Sequence, residues 1–371
     1  MSRTIVIIPI FIVASCLGLA AGAAPQNPPP TQQAAPPPPT DQAEGGASGG
    51  TPLRVGSALI TGNVWLDASK VTNDVEHEAI DTFSVRRVRL GLAGNLAPRI
   101  GWNVSGELTA EPVLRNAFVA IRVAKHLTVR VGQANPIASL ERGSSPLVLE
   151  LIDRSHVTNE LTGPLDVGVT LFNAEPYRRW LSYALNVNNG AGFNRSDNND
   201  AKDVSGRIAI TPPAARHLTV VASGTRGEQP TGRRERASVG FDYNDAAFRV
   251  MGEGLRQRRD NLPVSNGFFV MAAMRIRPAT VTPNFQMIEF AARLSVLHDP
   301  ATAAGAAAGL PSDDGGAPSL TDMDVITTRE FQAGVNVYLN GGTRIMTNVV
   351  IPIDARVHPG PSIRSRLQIL F

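Results

Sequence analysis

The chain has 371 residues and a formal net charge of +3, with a pI of about 9.3. Its mean hydropathy of -0.04 excludes a membrane protein built from several apolar helices. The basic residues are almost all arginines spread along the chain, which argues against a nucleic-acid partner, since such binders cluster their charge. The single cysteine, Cys16, lies near the N-terminus, so no disulfide or cysteine-based metal site is expected further on.

The N-terminus has the composition of an export signal. The apolar run Ile5–Ala14 is followed by small residues up to Ala21-Gly22-Ala23. Residues 1–23 are therefore predicted to be a secretory signal peptide that is cleaved before Ala24. A lipoprotein signal ending at Cys16 is the alternative, and it fits less well because the apolar run continues past that cysteine.

The rest of the chain divides into a linker, residues 24–52, and one long domain, residues 53–371. The linker is rich in Pro, Ala and Gly, cannot bury a core, and is predicted to be disordered. The domain consists of short segments in which polar and apolar residues alternate, with no competing helical period. Strands are predicted at 53–67, 81–97, 100–110, 114–124, 127–134, 165–174, 179–188, 203–211, 216–225, 234–244, 246–257, 267–278, 284–297, 325–339, 342–353 and 362–371. This even number of about 16 indicates an all-β fold, a transmembrane antiparallel β-barrel.

The connections between the predicted strands differ in length in a regular way. Long links are expected at 68–80, 135–164, 189–202, 258–266 and 298–324, and tight turns such as Asn244-Asp245 alternate with them. Outer-membrane barrels have long external loops and short periplasmic turns. With a periplasmic N-terminus, all the long links fall outside, and the link at 135–164 is expected to fold into the lumen.

The final strand ends on an aromatic residue, Phe371, after an alternating run that begins at Ile363. This ending is typical of outer-membrane barrels and predicts recognition of Phe371 by the barrel-assembly machinery. The aromatic content of 5% is low. The three tryptophans nevertheless lie near predicted strand ends, where interfacial aromatic girdles are expected: Trp65, Trp102 and Trp180.

Alternation assigns most arginines to the inner face, because an arginine in lipid near the midplane would cost about 2–4 kcal/mol. The arginines assigned inward are Arg87, Arg89, Arg122, Arg130, Arg207, Arg236, Arg293, Arg344, Arg364 and Arg366. The inward acids are fewer: Glu107, Asp242, Glu253 and Glu289. A net positive, water-filled wall would concentrate anions. The alternative is that arginines and acids pair with each other and only brace the wall.

Several short motifs follow one another along the chain. They are Phe83-Ser-Val-Arg-Arg-Val-Arg-Leu-Gly-Leu-Ala-Gly94, Val129-Arg-Val-Gly-Gln-Ala-Asn-Pro136 followed by Ser139-Leu-Glu-Arg142, Asp166-Val-Gly-Val169, Asn188-Asn-Gly-Ala-Gly192, Gly334-Val-Asn-Val-Tyr-Leu-Asn340, and Arg366-Leu-Gln-Ile-Leu-Phe371. In this order, the motifs resemble those of the phosphate-selective porins of the O/P family. The resemblance covers about residues 53–371. Family members often have a lysine before the loop proline, where this chain has Asn135, and lysine is scarce throughout.

The resemblance implies a homotrimer of sixteen-stranded barrels in the Gram-negative outer membrane, surrounded by its lipid. It also implies a third loop that narrows each pore, with Arg142 at the mouth of that loop facing Arg87, Arg89 and Arg130. Phosphate or polyphosphate is the candidate solute. The predicted function is a passive, cofactor-free, anion-preferring porin without catalytic residues or a metal site.

Two other functions were weighed against a porin. An enzymatic barrel would need a nucleophile and a base, and Ser155-His156 in the third loop is the nearest candidate, but no nucleophile elbow accompanies it. A structural barrel would need a closed lumen, which a folded loop at 135–164 could provide by itself.

Overall fold

The computed structural model describes residues 53–55, 58–73, 78–111, 113–135, 137, 139–173, 180–229, 232–260, 262–278, 285–300, 326–339, 342–353 and 360–371. The predicted signal peptide and linker lie outside the described residues. No helix among the described residues is long and apolar enough to cross a membrane.

The domain is an antiparallel β-barrel. Its strands are β1 (Leu53–Val55), β2 (Ala58–Asn73), β3 (Glu78–Ala97), β4 (Ile100–Glu107), β5 (Leu114–Ala124), β6 (Leu127–Ala134), β7 (Asp166–Phe172), β8 (Leu181–Asn188), β9 (Asp203–Ile210), β10 (Leu218–Gln229), β11 (Gly232–Asn244), β12 (Phe248–Arg259), β13 (Ser265–Ile276), β14 (Met287–Asp299), β15 (Ile326–Tyr338), β16 (Arg344–Pro352) and β17 (Ser362–Leu370). From β2 to β17 each strand pairs with the next, and β17 pairs with β2. Sixteen strands therefore close the barrel, as predicted, while β1 pairs with the start of β2.

The closure joins the two ends of the domain. Beyond the ladder between β17 and β2, the N–H of Phe371 donates to the carbonyl of Gly62, and the N–H of Gly62 donates to the carbonyl of Phe371. The terminal aromatic residue is thus part of the seam. Because every strand then has two neighbours, the described barrel strands leave no open sheet edge.

The first two barrel strands are longer than predicted. The expected long link at 68–80 is wrong, because β2 continues to Asn73 and β3 begins at Glu78, and residues 74–77 alone separate them. The segment from Asp67 to Asn73 is mostly polar. Ladder hydrogen bonds need no apolar side chains, however, and this run pairs with β3 on one side and, up to Val71, with β17 on the other.

Side chains alternate between the two faces as predicted. On β11, for example, Val239 is 63% exposed and its neighbour Ser238 only 3%. Register shifts between paired strands interrupt this alternation at four places, and two of these shifts are at arginines. One leaves Arg86 of β3 without a partner between Arg87 and Val85, and the other leaves Arg115 of β5 unpaired between Leu114 and Asn116.

The connections at the two ends of the barrel differ in length. One end, called the loop end, carries the connections 135–165 and 189–202, and the opposite end, the turn end, carries 98–99, 125–126 and 245–247. The predicted sorting of loops by length is confirmed for these connections, but it is not general, because the loop end also carries the short connections 74–77 and 230–231 and the turn end carries 211–217. Residues 135–165, called the inserted loop, contain two short helices, α1 (Leu140–Gly143) and α2 (His156–Leu161).

Candidate functional site

The inserted loop packs inside the barrel against one part of the wall. Four of its apolar side chains lie in one buried cluster with inward-facing residues of β9, β10 and β12–β14. The loop contributes Leu140, Leu151, Val157 and Leu161, and the wall residues include Met251, Leu255 and Phe269. The main apolar core of the described protein is therefore inside the lumen, between loop and wall.

Polar side chains from β14–β17 hold the middle of the loop through its backbone. They donate to five carbonyls of the segment 147–153. The bonds are Gln368 to Leu147 (3.2 Å), Arg344 to Leu149 (2.9 Å), Asn336 to Glu150 (2.7 Å), Arg366 to Ile152 (2.8 Å) and Arg293 to Asp153 (3.0 Å). Side chains thus pair with this segment much as a neighbouring strand would.

Carboxylates fix the two helices of the loop. The buried Glu253 of β12 accepts hydrogen bonds from the hydroxyl of Ser139 (2.8 Å) and the N–H of Leu140 (2.8 Å) at the start of α1. Within the loop, Glu141 accepts from the hydroxyl of Ser155 at 2.7 Å. Ser155 Oγ also accepts from the N–H of Thr158 as the N-cap of α2, and the residue is wholly buried. The hydroxyl weighed as a nucleophile therefore serves as a helix cap.

Acidic side chains of the loop face wall arginines. Glu150 lies 2.7 Å from a guanidinium nitrogen of Arg249 and 3.2 Å from one of Arg275. Asp153 lies 3.1 Å from Arg364. Asp242 and Glu289, two of the acids predicted to face inward, pair with these same arginines, Arg249 and Arg275. On this side of the lumen the arginines bind the loop as well as wall acids.

A second cluster lies on the wall across β3–β5. The carboxylate of Glu107 binds Arg87 (3.0 Å), Arg89 (2.8 Å) and Arg115 (3.4 Å). One carboxylate therefore holds three guanidiniums in place, and the cluster carries excess positive charge. The guanidinium of Arg87 also lies over the ring of Trp65, with 3.9 Å to the ring centroid.

A third group of arginines has no ion pair with a carboxylate of the described residues. Arg154 donates to the carbonyls of Glu141 and Ser144, and Arg142 has no side-chain hydrogen bond within the described part of the chain. Both belong to the inserted loop. Burial lowers the pKa of Arg142 below its usual range. Burial, followed by the positive charge of Arg142, lowers the pKa of Arg154 to about 10, so the guanidinium of Arg154 remains charged at neutral pH.

Two wall arginines reach the loop at its glycines. A Cβ atom at Gly143 would lie 3.0 Å from Nη1 of Arg207, and a Cβ atom at Gly163 would lie 3.0 Å from Nη1 of Arg236. Arg236 also donates to Gln257 at 2.9 Å. These two arginines of β9 and β11, with Arg142 and Arg154, are called the loop–wall arginines.

The structure divides the predicted arginines into groups. Arg87 and Arg89 meet at Glu107, and Arg142, Arg207 and Arg236 belong to the loop–wall arginines. Arg293, Arg344, Arg364 and Arg366 contact the inserted loop. Arg130 lies beside Thr170 and the rings of Phe118 and Phe172. Arg122 lies near the turn end without a polar side-chain contact to the described residues. Binding of anions by these residues stays a prediction.

Sequence reasoning missed several arginines of the site, among them Arg115, Arg154, Arg249 and Arg275. Strict alternation places Asn116 inward and would turn Arg115 outward, but the bulge turns Arg115 inward toward Glu107. Arg154 lies in the loop, where alternation carries no information. Trp65 was expected at a membrane interface; instead it faces the lumen and is 4% exposed.

A closed sixteen-stranded barrel with a loop packed into its lumen defines the class of outer-membrane porins. Solved porins share this fold. The anion-selective porin of Comamonas acidovorans aligns with a TM-score of 0.61 at 13% identity, over 85% of this chain and 99% of that one. OmpF of Salmonella typhi, in complex with daunomycin, aligns with a TM-score of 0.60 at 12% identity, over 86% and 100%. The outer membrane channel DcaP of Acinetobacter baumannii aligns with a TM-score of 0.57 at 11% identity, over 87% and 100%.

The sequence profile of the family described as phosphate-selective porin O and P matches residues 59–245, just over half of the chain. The protein belongs to this family and is an outer-membrane porin. No curated protein sequence matches it at a significant level.

Proposed function

We propose that the barrel conducts anions passively through the space between the inserted loop and the β3–β8 side of the wall, and that arginines of the loop and of the wall select them. The observation that supports this most directly is the set of loop–wall arginines. None of the four forms an ion pair with a described carboxylate, although each lies inside a barrel that is lined elsewhere by paired charges.

Charge and geometry both favour anionic solutes. Unpaired positive charge between low-dielectric walls raises the local concentration of anions and repels cations. The cluster at Glu107 adds further positive charge, because three guanidiniums share one carboxylate. Guanidinium forks also match the oxygens of phosphate, so phosphate or polyphosphate is the proposed solute. The name of the family and the anion selectivity of the Comamonas porin support the same class of solute.

The assembly and export of the protein complete the proposal. A homotrimer in outer-membrane lipid is proposed, because a structural neighbour, the in-vitro folded outer membrane protein OmpT of Vibrio cholerae, has a trimer form. Cleavage of residues 1–23 and recognition of Phe371 by the barrel-assembly machinery remain predictions.

Planar-bilayer recording of the purified protein tests the proposal. In a KCl gradient the reversal potential is expected to show anion preference, and added phosphate is expected to reduce the chloride current in a saturable way. The variant Arg142→Gln/Arg207→Gln removes two positive charges from the lumen and should move the reversal potential toward zero. The matched control, Arg256→Gln/Arg258→Gln, removes two charges from exposed positions on the outer face of β12 and should leave selectivity unchanged.

Three results would contradict the proposal. A cation-selective reversal potential would exclude anion conduction. Equal shifts in both double variants would show that the loop–wall arginines have no special role. An absence of conductance would instead assign the protein to structural barrels that the inserted loop closes.

A further inference from the structure

Trp65 lies between two arginines in the lumen. It points inward from β2, and the guanidinium carbons of Arg87 and Arg366 lie 3.9 Å and 4.2 Å from its ring centroid. Both distances are within the range of cation–π attraction. Arg87 belongs to β3 and Arg366 to β17, and these strands pair with opposite sides of β2. The two cations therefore approach the indole from opposite sides.

A hydrogen bond from the indole N–H does not account for the inward orientation of Trp65. Nε1 of Trp65 is buried and has no hydrogen-bond partner among the described residues, whereas a buried tryptophan N–H usually has one. The side chain thus leaves its polar atom unsatisfied while both sides of its ring meet a cation. The contacts that define its place are those with Arg87 and Arg366.

Each of the two arginines connects to a different part of the pore. Arg87 binds Glu107, which also holds Arg89, so it belongs to the positively charged cluster of the wall. Arg366 binds Asp67 and donates to the carbonyl of Ile152, so it anchors the inserted loop. Trp65 is the side chain that touches both.

We propose that Trp65 is a positioning residue for ion selectivity, which holds Arg87 at the edge of the wall cluster and at a constant distance from the loop anchor Arg366. The proposal rests on the proposed anion conduction. Loss of the ring would remove one of the contacts that hold Arg87 beside Glu107, and the positive charge facing the permeating anion would become less well localised. Selectivity would then fall although no charge has been removed.

Reversal potentials of Trp65→Leu and Trp65→Phe test this role. In Trp65→Leu the anion-to-cation permeability ratio is expected to drop roughly fivefold, which corresponds to one cation–π contact of about 1 kcal/mol. Trp65→Phe retains an aromatic face and is expected to recover part of the ratio. Trp102→Leu, on β4, is the matched control and should behave as the native protein.

A spectroscopic measurement checks the same contact independently of any change at Trp65. The chain has three tryptophans, so Trp102→Phe/Trp180→Phe leaves Trp65 as the sole indole fluorophore. Inorganic phosphate is expected to shift its emission, with half-saturation at the concentration that halves the chloride current.

The results separate this proposal from the proposed function. If the native channel shows no anion preference, anion conduction itself is refuted. If the native channel is anion-selective and Trp65→Leu has an unchanged permeability ratio, Trp65 has no positioning role. If Trp65→Leu fails to fold, the fluorescence of the Trp102→Phe/Trp180→Phe variant decides. The proposal is overturned if phosphate blocks the current but does not change the emission of Trp65.

Discussion

Replacing Arg366 by glutamine is expected to destabilise the barrel far more than the same change at Arg364, two residues away on the same face of β17. The side chain of Arg366 is 2% exposed and makes two 2.8 Å hydrogen bonds to Asp67 and one to the carbonyl of Ile152. Arg364 is 37% exposed and contacts Asp153, which is 36% exposed. The two variants therefore compare a buried arginine with a solvent-exposed arginine.

The expected free energies of unfolding differ accordingly. Removing one partner of a buried ion pair costs about 3–5 kcal/mol, because the remaining charge is left uncompensated. Water reaches part of Asp67, whose side chain is 18% exposed, so a value near the lower limit, about 3 kcal/mol, is expected for Arg366→Gln. A solvent-exposed ion pair contributes about 1 kcal/mol or less, which bounds the loss in Arg364→Gln.

Unfolding in denaturant, with the protein reconstituted in lipid vesicles at neutral pH, measures both losses. Limited proteolysis is the second readout, because Arg366→Gln also removes the anchor at Ile152 and should speed cleavage within the inserted loop. Equal stability of the two variants, with equal cleavage rates, would refute the reasoning that enclosure of Arg366 by the loop makes its contacts strong.

Three further outcomes are expected. Gly132 has a φ of +129° and faces the backbone of β5, so Gly132→Ala should lower the yield of folded barrel in a heat-modifiability gel assay. The control Gly206→Ala should leave the yield unchanged, because no atom lies within 4 Å of the added carbon. Glu253→Gln weakens the bonds at the start of α1 and should speed tryptic cleavage within the inserted loop, while Glu235→Gln on the outer face should have no effect. Backbone N–H donors in its turn lower the pKa of Asp245 below its usual range. The ionised carboxylate therefore stabilises the fold at pH values above its ordinary pKa, and this stabilisation is lost as the pH falls through the lowered pKa. In Asp245→Asn the free energy of unfolding should consequently decrease less steeply with acid, as measured by unfolding below about pH 4.

Much of the barrel could be predicted because a strand has a side-chain period of two. Alternation places Val239 and Phe241 outward and Asp242 inward, and the ladder between β11 and β12 agrees. The face to which a strand residue points can be predicted without any distant residue, because successive side chains along a strand point to opposite faces of the sheet. For the same reason the inward direction of Arg293 and Arg344 followed from the sequence.

Bulges and strand ends could not be predicted in this way. A single extra residue, such as Arg115 in β5, reverses the faces on one side of it and leaves no composition signal. The end of β2 was also missed, because the polar residues up to Asn73 pair through their backbones. Both errors arise because hydrogen bonding between strands is independent of side-chain polarity.

The sequence by itself determined the class of fold, the number of strands, the place of the inserted loop in the chain and the inward direction of wall arginines such as Arg293 and Arg344, because these depend on local periodicity and on the cost of charge in lipid. Only the tertiary structure decided which arginines bind the loop and which remain without a carboxylate partner. Arg366 and Ile152 are 214 residues apart, and Arg293 and Glu141 are 152 apart. These contacts form only when the barrel closes and the loop packs into the lumen. The residues around each partner in the sequence do not indicate which distant side chain it will meet.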